Sequence, residues 1–253
     1  MSFRDDFNSL DPNVWEIVNY VGDQASVTIS DGKLKFGVVD LTVYNWFGIH
    51  RKSLVDLKYK SVEVNLDFEL QNIYGPHFHF GVFFSNKPFE NRFDSDFQGA
   101  FIGIEGEAKG RPVRIRMIHF FSGRTAVLDA PIERLPCTLR VKVSEKAIYV
   151  YEVVDGVEKV KLSRPIEFNP VNLHFYLLTY VVVYLGAETR TGAVTIDYVE
   201  VKETTIPETV QEAIFREMAS LVVTMVYALV PLAMMVMAIY EIKRAIKEAK
   251  LTG

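Results

Sequence analysis

The sequence predicts an all-β body over residues 1–202, followed by one long C-terminal transmembrane α-helix. Three observations support this fold class: short runs in which apolar and polar residues alternate, Asp-Gly pairs between such runs, and one uncharged apolar stretch near the C-terminus. The composition excludes disorder, because 49 % hydrophobic and 24 % charged residues among 253 lie within the globular range. A net charge of −4 argues against nucleic acid as a partner, and a single cysteine excludes an internal disulfide framework and a cysteine-based zinc site.

Alternating runs predict the strands of the body. In residues 61–70 every second residue is apolar, while the positions between them are polar, as in a strand with one buried and one wet face. Asp31-Gly32 and Asp155-Gly156 lie between such runs and predict tight hairpin turns. Many short strands with no helices between them predict a two-sheet antiparallel sandwich. The other alternating runs are 113–117, 139–143 and 148–153.

The C-terminal region carries the predicted membrane anchor. The mean hydropathy of +0.11 is high for a chain with so many charges, and the excess comes from residues 218–240, which are 23 residues without a charge. As a helix they span roughly 34 Å, enough for a hydrocarbon core of about 30 Å. The spacing from Thr205 to Glu208 is typical of a capping box, so we expect a helical stalk over 203–217 before the span and a short basic tail over 241–253 after it.

The charges around this span give conflicting evidence on orientation. Four basic residues follow the span, whereas residues 203–217 contain only Arg216, and this bias predicts a cytoplasmic C-terminus with the β body outside. The start of the chain, however, shows no apolar signal region, and a tail-anchored protein usually keeps a long preceding domain in the cytosol. We expect the body outside. The basic residues are Lys243, Arg244, Lys247 and Lys250.

Small residues recur at every fourth position of the predicted span, at Ser220, Thr224 and Ala228. Such a stripe lets a second helix approach closely. It predicts a homo-oligomer or a membrane-protein partner within the lipid membrane, although small residues also occur on membrane helices that have no helical partner.

Four segments of the body resemble the framework of the concanavalin A-like lectin/glucanase superfamily, in particular its laminarinase-type glucanase and laminin G-like branches. The resemblance covers roughly residues 3–202 as a pattern of strands. It implies a jelly roll of two curved antiparallel sheets in which the first and last strands are adjacent and a concave face often holds sugar. The segments are FRDDFNSLDPNVWEI, VTISDGKLKF, YKSVEVNLDF and TIDYVEVKE.

The glucanases of this superfamily take their catalytic carboxylates from one strand with the pattern Glu-x-Asp-x-(x)-Glu, and the matching place here is residues 101–110. Glu105 and Glu107 alternate with small or apolar residues, which predicts that both carboxylates point to one face about 7 Å apart. That separation is typical of an inverting glycosidase. The residues after Glu107 supply no third carboxylate, so the resemblance implies binding without cleavage, or simply two exposed acids near the end of a strand.

Metal ligation has two weak candidate sites. His77 and His79 project to one face and would chelate a metal if Glu105 or Glu107 approached from the next strand, but no HExxH-type motif supports this, and a sugar-facing or solvated role is favoured. Asp94 and Asp96 are candidate calcium ligands, mainly because the resembled superfamily often binds calcium, and pairs of this kind also make ordinary turns. We therefore expect no cofactor, with calcium as the cation to test.

Five residues are candidates for carbohydrate binding. Sugar recognition needs flat apolar surfaces beside hydrogen-bonding side chains, and both are available if these residues share the concave face. The alternative is that the large aromatic side chains pack in the core. The candidates are Trp46, Tyr74, His77, His79 and Glu105.

These observations lead to one functional prediction and two alternatives. The prediction is a membrane-anchored, non-catalytic, lectin-like module that recognises carbohydrate or protein at a surface. The first alternative is a structural or accessory subunit of a membrane complex or enveloped virus particle. The second is a glycoside hydrolase that uses Glu105 and Glu107.

Overall fold

The protein folds as a jelly-roll sandwich of two antiparallel sheets. The computed structural model describes residues 2–19, 25–38, 45–69, 78–106, 113–121, 124–181 and 192–204. Within those residues the chain forms fifteen strands: β1 (Phe3–Asp5), β2 (Trp15–Asn19), β3 (Ala25–Ser30), β4 (Lys33–Val38), β5 (Asn45–Arg51), β6 (Lys60–Glu69), β7 (Phe78–Ser85), β8 (Gly99–Gly106), β9 (Arg114–Phe121), β10 (Arg124–Pro131), β11 (Cys137–Val143), β12 (Ala147–Val154), β13 (Val157–Pro165), β14 (His174–Val181) and β15 (Gly192–Glu203).

The strand order confirms the architecture expected from the resemblance. The larger sheet has eight strands in the order β13-β12-β11-β6-β15-β4-β3, with β1 also paired to β15. The smaller sheet has seven strands in the order β10-β9-β8-β7-β14-β5-β2. Strand β1 pairs with β15, and Phe3 lies opposite Val201. The first and last strands are therefore adjacent, as the resemblance implies.

The core lies between the sheets and follows the alternation in the sequence. In β6 the side chains of Val62, Val64 and Leu66 are fully buried, as expected for the apolar face of residues 61–70. Both predicted hairpins are confirmed. Asp31-Gly32 and Asp155-Gly156 each have a positive φ at both central residues, 53° and 71° in the first and 53° and 79° in the second. This geometry is that of a type I′ turn, which matches the twist of the flanking strands.

A second apolar cluster lies on the side of the seven-stranded sheet away from the core, which we call the outer face. Side chains of four strands, β5, β7, β8 and β14, and of the β7–β8 loop form it, and a short 3-10 turn, Phe89–Asn91, lies in that loop. Phe83 on β7 and Phe97 on the loop stack with ring centroids 6.1 Å apart, so the loop packs against the outer face. The buried members are Trp46, Phe83, Phe89, Phe97, Phe101, Tyr176 and Leu178.

The predicted anchor lies outside the residues that the structure describes. This applies to the stalk, to the span over 218–240, and to Ser220, Thr224 and Ala228. Among the residues that are described, no helix has the length and apolar character needed to cross a bilayer. The membrane anchor and the helix-packing stripe therefore remain predictions.

Candidate functional site

One row of paired residues crosses the seven-stranded sheet and carries three of the predicted site residues. Trp46 pairs with Tyr180, Tyr180 with His79, and His79 with Glu105, which in turn pairs with Arg114. Directly opposed residues of neighbouring strands point to the same face of a sheet. The structure therefore places Trp46, His79 and Glu105 on the outer face of this sheet.

Glu105 lies at the centre of a charged cluster. Its side chain is fully buried and forms ion pairs with two arginines of β9. Arg114 donates from Nε to Oε2, and Arg116 donates from Nη1 to Oε1 at 2.6 Å. The Nε2 atom of His79 lies 4.0 Å from the same carboxylate. A buried carboxylate needs such partners, because its desolvation is otherwise too costly.

Asp129 on β10 completes this cluster. Arg116 binds it through two nitrogens, with Nε 2.7 Å and Nη2 2.8 Å from the two carboxylate oxygens. Arg114 Nη1 lies 3.4 Å from the same carboxylate. The hydrogen bond from Arg116 is the main reason that the pKa of Asp129 lies below its ordinary value, and the charges of both arginines act in the same direction. We call Glu105, Arg114, Arg116 and Asp129 the carboxylate–arginine cluster.

Sequence reasoning missed the two arginines and Asp129 as site residues. The alternation in residues 113–117 does place Arg114 and Arg116 on one face of a strand. Whether that face is shared with Glu105 depends on the pairing of β8 with β9, and the position of Asp129 depends on the pairing of β9 with β10. A single sequence carries no direct signal for either register.

Trp46 is packed inside the second apolar cluster. Only 4 % of the residue is exposed, and its ring centroid lies 4.3 Å from that of Phe89 and 6.4 Å from that of Tyr176. The packing alternative therefore describes Trp46 in this structure, because its faces contact neighbouring rings and leave no broad surface for a sugar.

The remaining predicted residues fall into two groups. Asp94 and Asp96 form ion pairs with Lys87, at 3.3 Å and 2.6 Å, on the β7–β8 loop. In the part of the chain that the structure describes, no group of three or more His, Cys, Asp or Glu side chains is arranged to hold a metal ion. Tyr74, His77 and Glu107 lie outside the described residues.

Comparison with known proteins shows the fold. No family model matches the chain, and no curated protein matches it. Solved structures do match, and they cover about four-fifths of this chain and nearly all of their own length. An immunostimulatory antigen and pseudo β-1,3-glucanase of Mycobacterium tuberculosis has a TM-score of 0.56 and 18 % identity, covering 80 % of this chain and 98 % of its own. A structure reported for endo-acting O-glycanases of the human gut microbiota has a TM-score of 0.55 and 16 % identity, covering 80 % and 99 %.

A third similar structure was determined with bound oligosaccharide. It is LamA of Zobellia galactanivorans in complex with laminaritriose and laminaritetraose, with a TM-score of 0.54 and 17 % identity, covering 79 % of this chain and 97 % of its own. At 16 to 18 % identity these structures show the fold alone, which is a jelly-roll sandwich of two antiparallel sheets.

These similarities correct the main functional prediction. The structures that this sandwich resembles are described as a pseudo β-1,3-glucanase, O-glycanases and a LamA bound to oligosaccharide, which favours the glycoside hydrolase alternative over a non-catalytic lectin-like module. The prediction of a non-catalytic module rested on the missing third carboxylate after Glu107. That argument considered one strand only, whereas the sheet brings Asp129 from a different strand to the same face as Glu105.

Proposed function

We propose that this protein is a glycoside hydrolase that acts on a polysaccharide at the outer face of the seven-stranded sheet. The observation that carries the proposal is the carboxylate–arginine cluster on β8, β9 and β10, in a sandwich similar to pseudo β-1,3-glucanase and O-glycanase structures over nearly their whole length. Glycoside hydrolysis needs a pair of carboxyl groups that flank the scissile bond. In this proposal the pair is Glu105 and Glu107.

The burial of Glu105 sets a condition on the reaction. Its carboxylate is covered as long as Arg114 and Arg116 remain bound to it, so a sugar reaches it only when these guanidinium groups move aside. Asp129 makes this movement less costly, because Arg116 is already bound to Asp129 through two nitrogens and keeps that counter-ion when it leaves Glu105. Sugar hydroxyls then replace the arginines as donors to Glu105.

The proposal is tested by hydrolysis assays on the full-length protein in mild detergent. The substrates are a β-1,3-glucan and mucin O-glycans, because similar structures carry these names, and the product is the new reducing end. We expect E105Q and E107Q each to lower the rate at least about a hundredfold, in line with the loss of a group engaged in acid–base catalysis. The matched control is E167Q, which changes an exposed glutamate on the loop after β13.

Two results would refute this assignment. One is the absence of hydrolysis of either substrate by protein whose circular dichroism and thermal unfolding show a folded sandwich. The other is full activity in the E105Q/E107Q double variant. A rate loss in E105Q counts for the proposal only if its unfolding temperature stays near that of the unmodified protein, since removal of a buried charge partner also destabilises the fold.

We also propose that residues 218–240 hold the hydrolase at a membrane, with the sandwich outside and the C-terminus in the cytoplasm. The uncharged length of the segment and the basic residues after it support this arrangement. Carbonate extraction of membranes should leave the full chain in the pellet and release a version that ends at residue 204. Protease added to intact cells should digest the sandwich, and protection of the sandwich would reverse the proposed orientation.

A further inference from the structure

A separate cavity lies at the β2 edge of the outer face. It has a volume of about 360 Å³, at the lower end of the range for small-molecule pockets. Strands β2, β5 and β14 form one side, and the 3-10 turn of the β7–β8 loop forms the other. The backbone N–H of Phe89 donates to the hydroxyl of Tyr176 at 3.2 Å, which ties the turn to the sheet. The described lining residues are Glu16, Ile17, Val18, His50, Pro88, Glu90 and Tyr176.

A chain of hydrogen bonds positions the carboxylate of Glu16 in this cavity. The Nδ1 atom of His50 lies 2.5 Å from Glu16 Oε1, and its Nε2 atom lies 3.2 Å from Nδ1 of His174. A carboxylate only accepts, so His50 donates from Nδ1 to Glu16, and a neutral His50 then accepts at Nε2 from the N–H of His174. The His50 ring also stacks on Tyr176 with centroids 4.3 Å apart. Glu16 is thus oriented by a rigid aromatic support, although half of its side chain is exposed.

The lining combines hydrogen-bond acceptors with apolar side chains. Glu16 and Glu90 both line the cavity, and His50 uses one of the several acceptor positions of the Glu16 carboxylate. Val18 and Pro88 add apolar surface. Two carboxylates disfavour an anionic ligand. A sugar ring fits this lining because it offers hydroxyl donors at its edge and C–H groups on its faces.

The cavity is separated from the carboxylate–arginine cluster by the second apolar cluster. His50 and Tyr176 are followed across the sheet by Phe83 and Phe101 in the same register row. Both phenylalanines are buried in the second apolar cluster. His50 on β5 and Glu105 on β8 are three strand spacings apart across the sheet, roughly 14 Å, and their rows are four residues apart along the strands, roughly 13 Å. The cavity is therefore not part of the proposed catalytic position.

We propose that this cavity is a carbohydrate-binding site for a single pyranose unit, with Glu16 as the main hydrogen-bond acceptor and His50 as the residue that positions it. The sugar class rests on the proposed function, whereas the site itself rests on the cavity and on the Glu16–His50–His174 chain. Such a site would hold the enzyme on a polysaccharide at a point distant from the bond that is cleaved.

Binding is measured on the full-length E107Q protein, in a detergent without a sugar headgroup. The probes are the methyl β-glycosides of glucose, galactose and N-acetylglucosamine, followed by saturation-transfer NMR and calorimetry. We expect at least one probe to bind and the additional E16Q change to weaken it about tenfold or more, as expected for the loss of a charged acceptor. His50→Phe keeps a ring beside Tyr176 but releases Glu16, and should weaken binding by a smaller factor. E167Q in the same background is the control.

The proposal fails if none of the probes binds, or if E16Q binds the best probe as tightly as the E107Q parent does. It also fails if methylamine competes with the probe at equal concentration, because the cavity would then select cations. These outcomes are independent of catalysis, since the probes contain no polysaccharide linkage. Failure of hydrolysis with intact probe binding would refute the proposed function alone.

Discussion

His119 shows how the interior of the sandwich depends on one histidine staying neutral. It lies on the core side of β9, is 2 % exposed, and its ring centroid is 6.0 Å from that of Phe168. Arg164 donates from Nε to His119 Nδ1 at 2.9 Å, so the ring proton is on Nε2. Burial, and secondarily the charge of Arg164, lower the pKa of His119 from 6.5 to about 4.

This lowered pKa predicts a loss of stability in mild acid. Between pH 6.5 and pH 4 the unfolded chain binds a proton at His119 and the folded chain does not, so the free energy of unfolding falls as the pH falls through this window. The full effect is on the order of 3 kcal/mol. His119→Leu should reduce the pH dependence of the unfolding temperature between pH 6.5 and 5, where the carboxylates of both proteins stay mostly ionised. A smaller slope should remain from His174, because burial lowers its pKa as well. Equal pH slopes in the two proteins would contradict this explanation.

Arg116 bridges two carboxylates, so its substitution should affect both the stability of the fold and the pKa of Asp129. Arg116→Lys keeps the charge but loses the fork that binds Asp129 through two nitrogens and Glu105 through a third. We expect a destabilisation of about 1 to 3 kcal/mol and a rise in the pKa of Asp129 toward its ordinary value, measured by denaturant unfolding and by NMR titration of the carboxyl group.

The matched control for this prediction is Arg134→Lys, which changes an exposed arginine paired with Asp155. Exposed pairs contribute little to stability, so this variant should unfold close to the unmodified protein. If Arg116→Lys and Arg134→Lys lower the free energy of unfolding by the same amount, Arg116 does not contribute the stability assigned here to its bridge between Glu105 and Asp129.

At the scale of single residues, the sequence predicts which face of a strand a side chain occupies, but it does not predict which residues of other strands that side chain contacts. Alternation within one strand correctly places Glu105 on the side of the sheet opposite to Phe80, Val82 and Phe84 of the neighbouring strand. That Glu105 is buried by Arg114 and Arg116 depends on a register between strands, which alternation does not specify.

At the scale of elements, the Asp155-Gly156 hairpin illustrates a local feature that the sequence determines fully. Gly156 has a φ of +79°, and a Cβ built there meets nothing within 4 Å. Gly156→Ala should therefore cost about 1 to 2 kcal/mol through backbone strain alone, without a steric clash. Thermal unfolding tests this, with Val157→Ala at the neighbouring exposed position as the control. No change in the Gly156→Ala variant would mean that the turn is not type I′.

The β7–β8 loop illustrates an element whose role the sequence did not reveal. Asp94 and Asp96 suggested calcium, but they bind Lys87, whereas Phe89 and Phe97 of the same loop pack on the outer face. Aromatic residues in a polar loop give no periodic signal, so their packing onto the sheet was not predictable from alternation. The same loop supplies Pro88 and Glu90 to the proposed carbohydrate-binding site.

At the scale of the whole molecule, composition and alternation predict a β-sandwich, and the resemblance adds the jelly-roll topology. The pairing of β1 with β15 confirms that the first and last strands of the sandwich are adjacent, although they are far apart in sequence. Strand order beyond this was not predictable, because β6 has β11 and β15 as neighbours although long stretches of chain separate them.

Function was predicted incorrectly for a related reason: a motif within one strand was treated as the whole site, whereas the sheet assembles its charged groups from three strands.

The most direct test of the central claim is hydrolysis carried out in ¹⁸O-labelled water. A glycoside hydrolase adds one oxygen from water to each new reducing end. The full-length protein should release β-1,3-glucan or O-glycan fragments that carry one ¹⁸O atom by mass spectrometry, and E107Q should release almost none. Unlabelled fragments, or labelled fragments at the same rate from E107Q, would contradict the assignment of this sandwich as a hydrolase that uses Glu107.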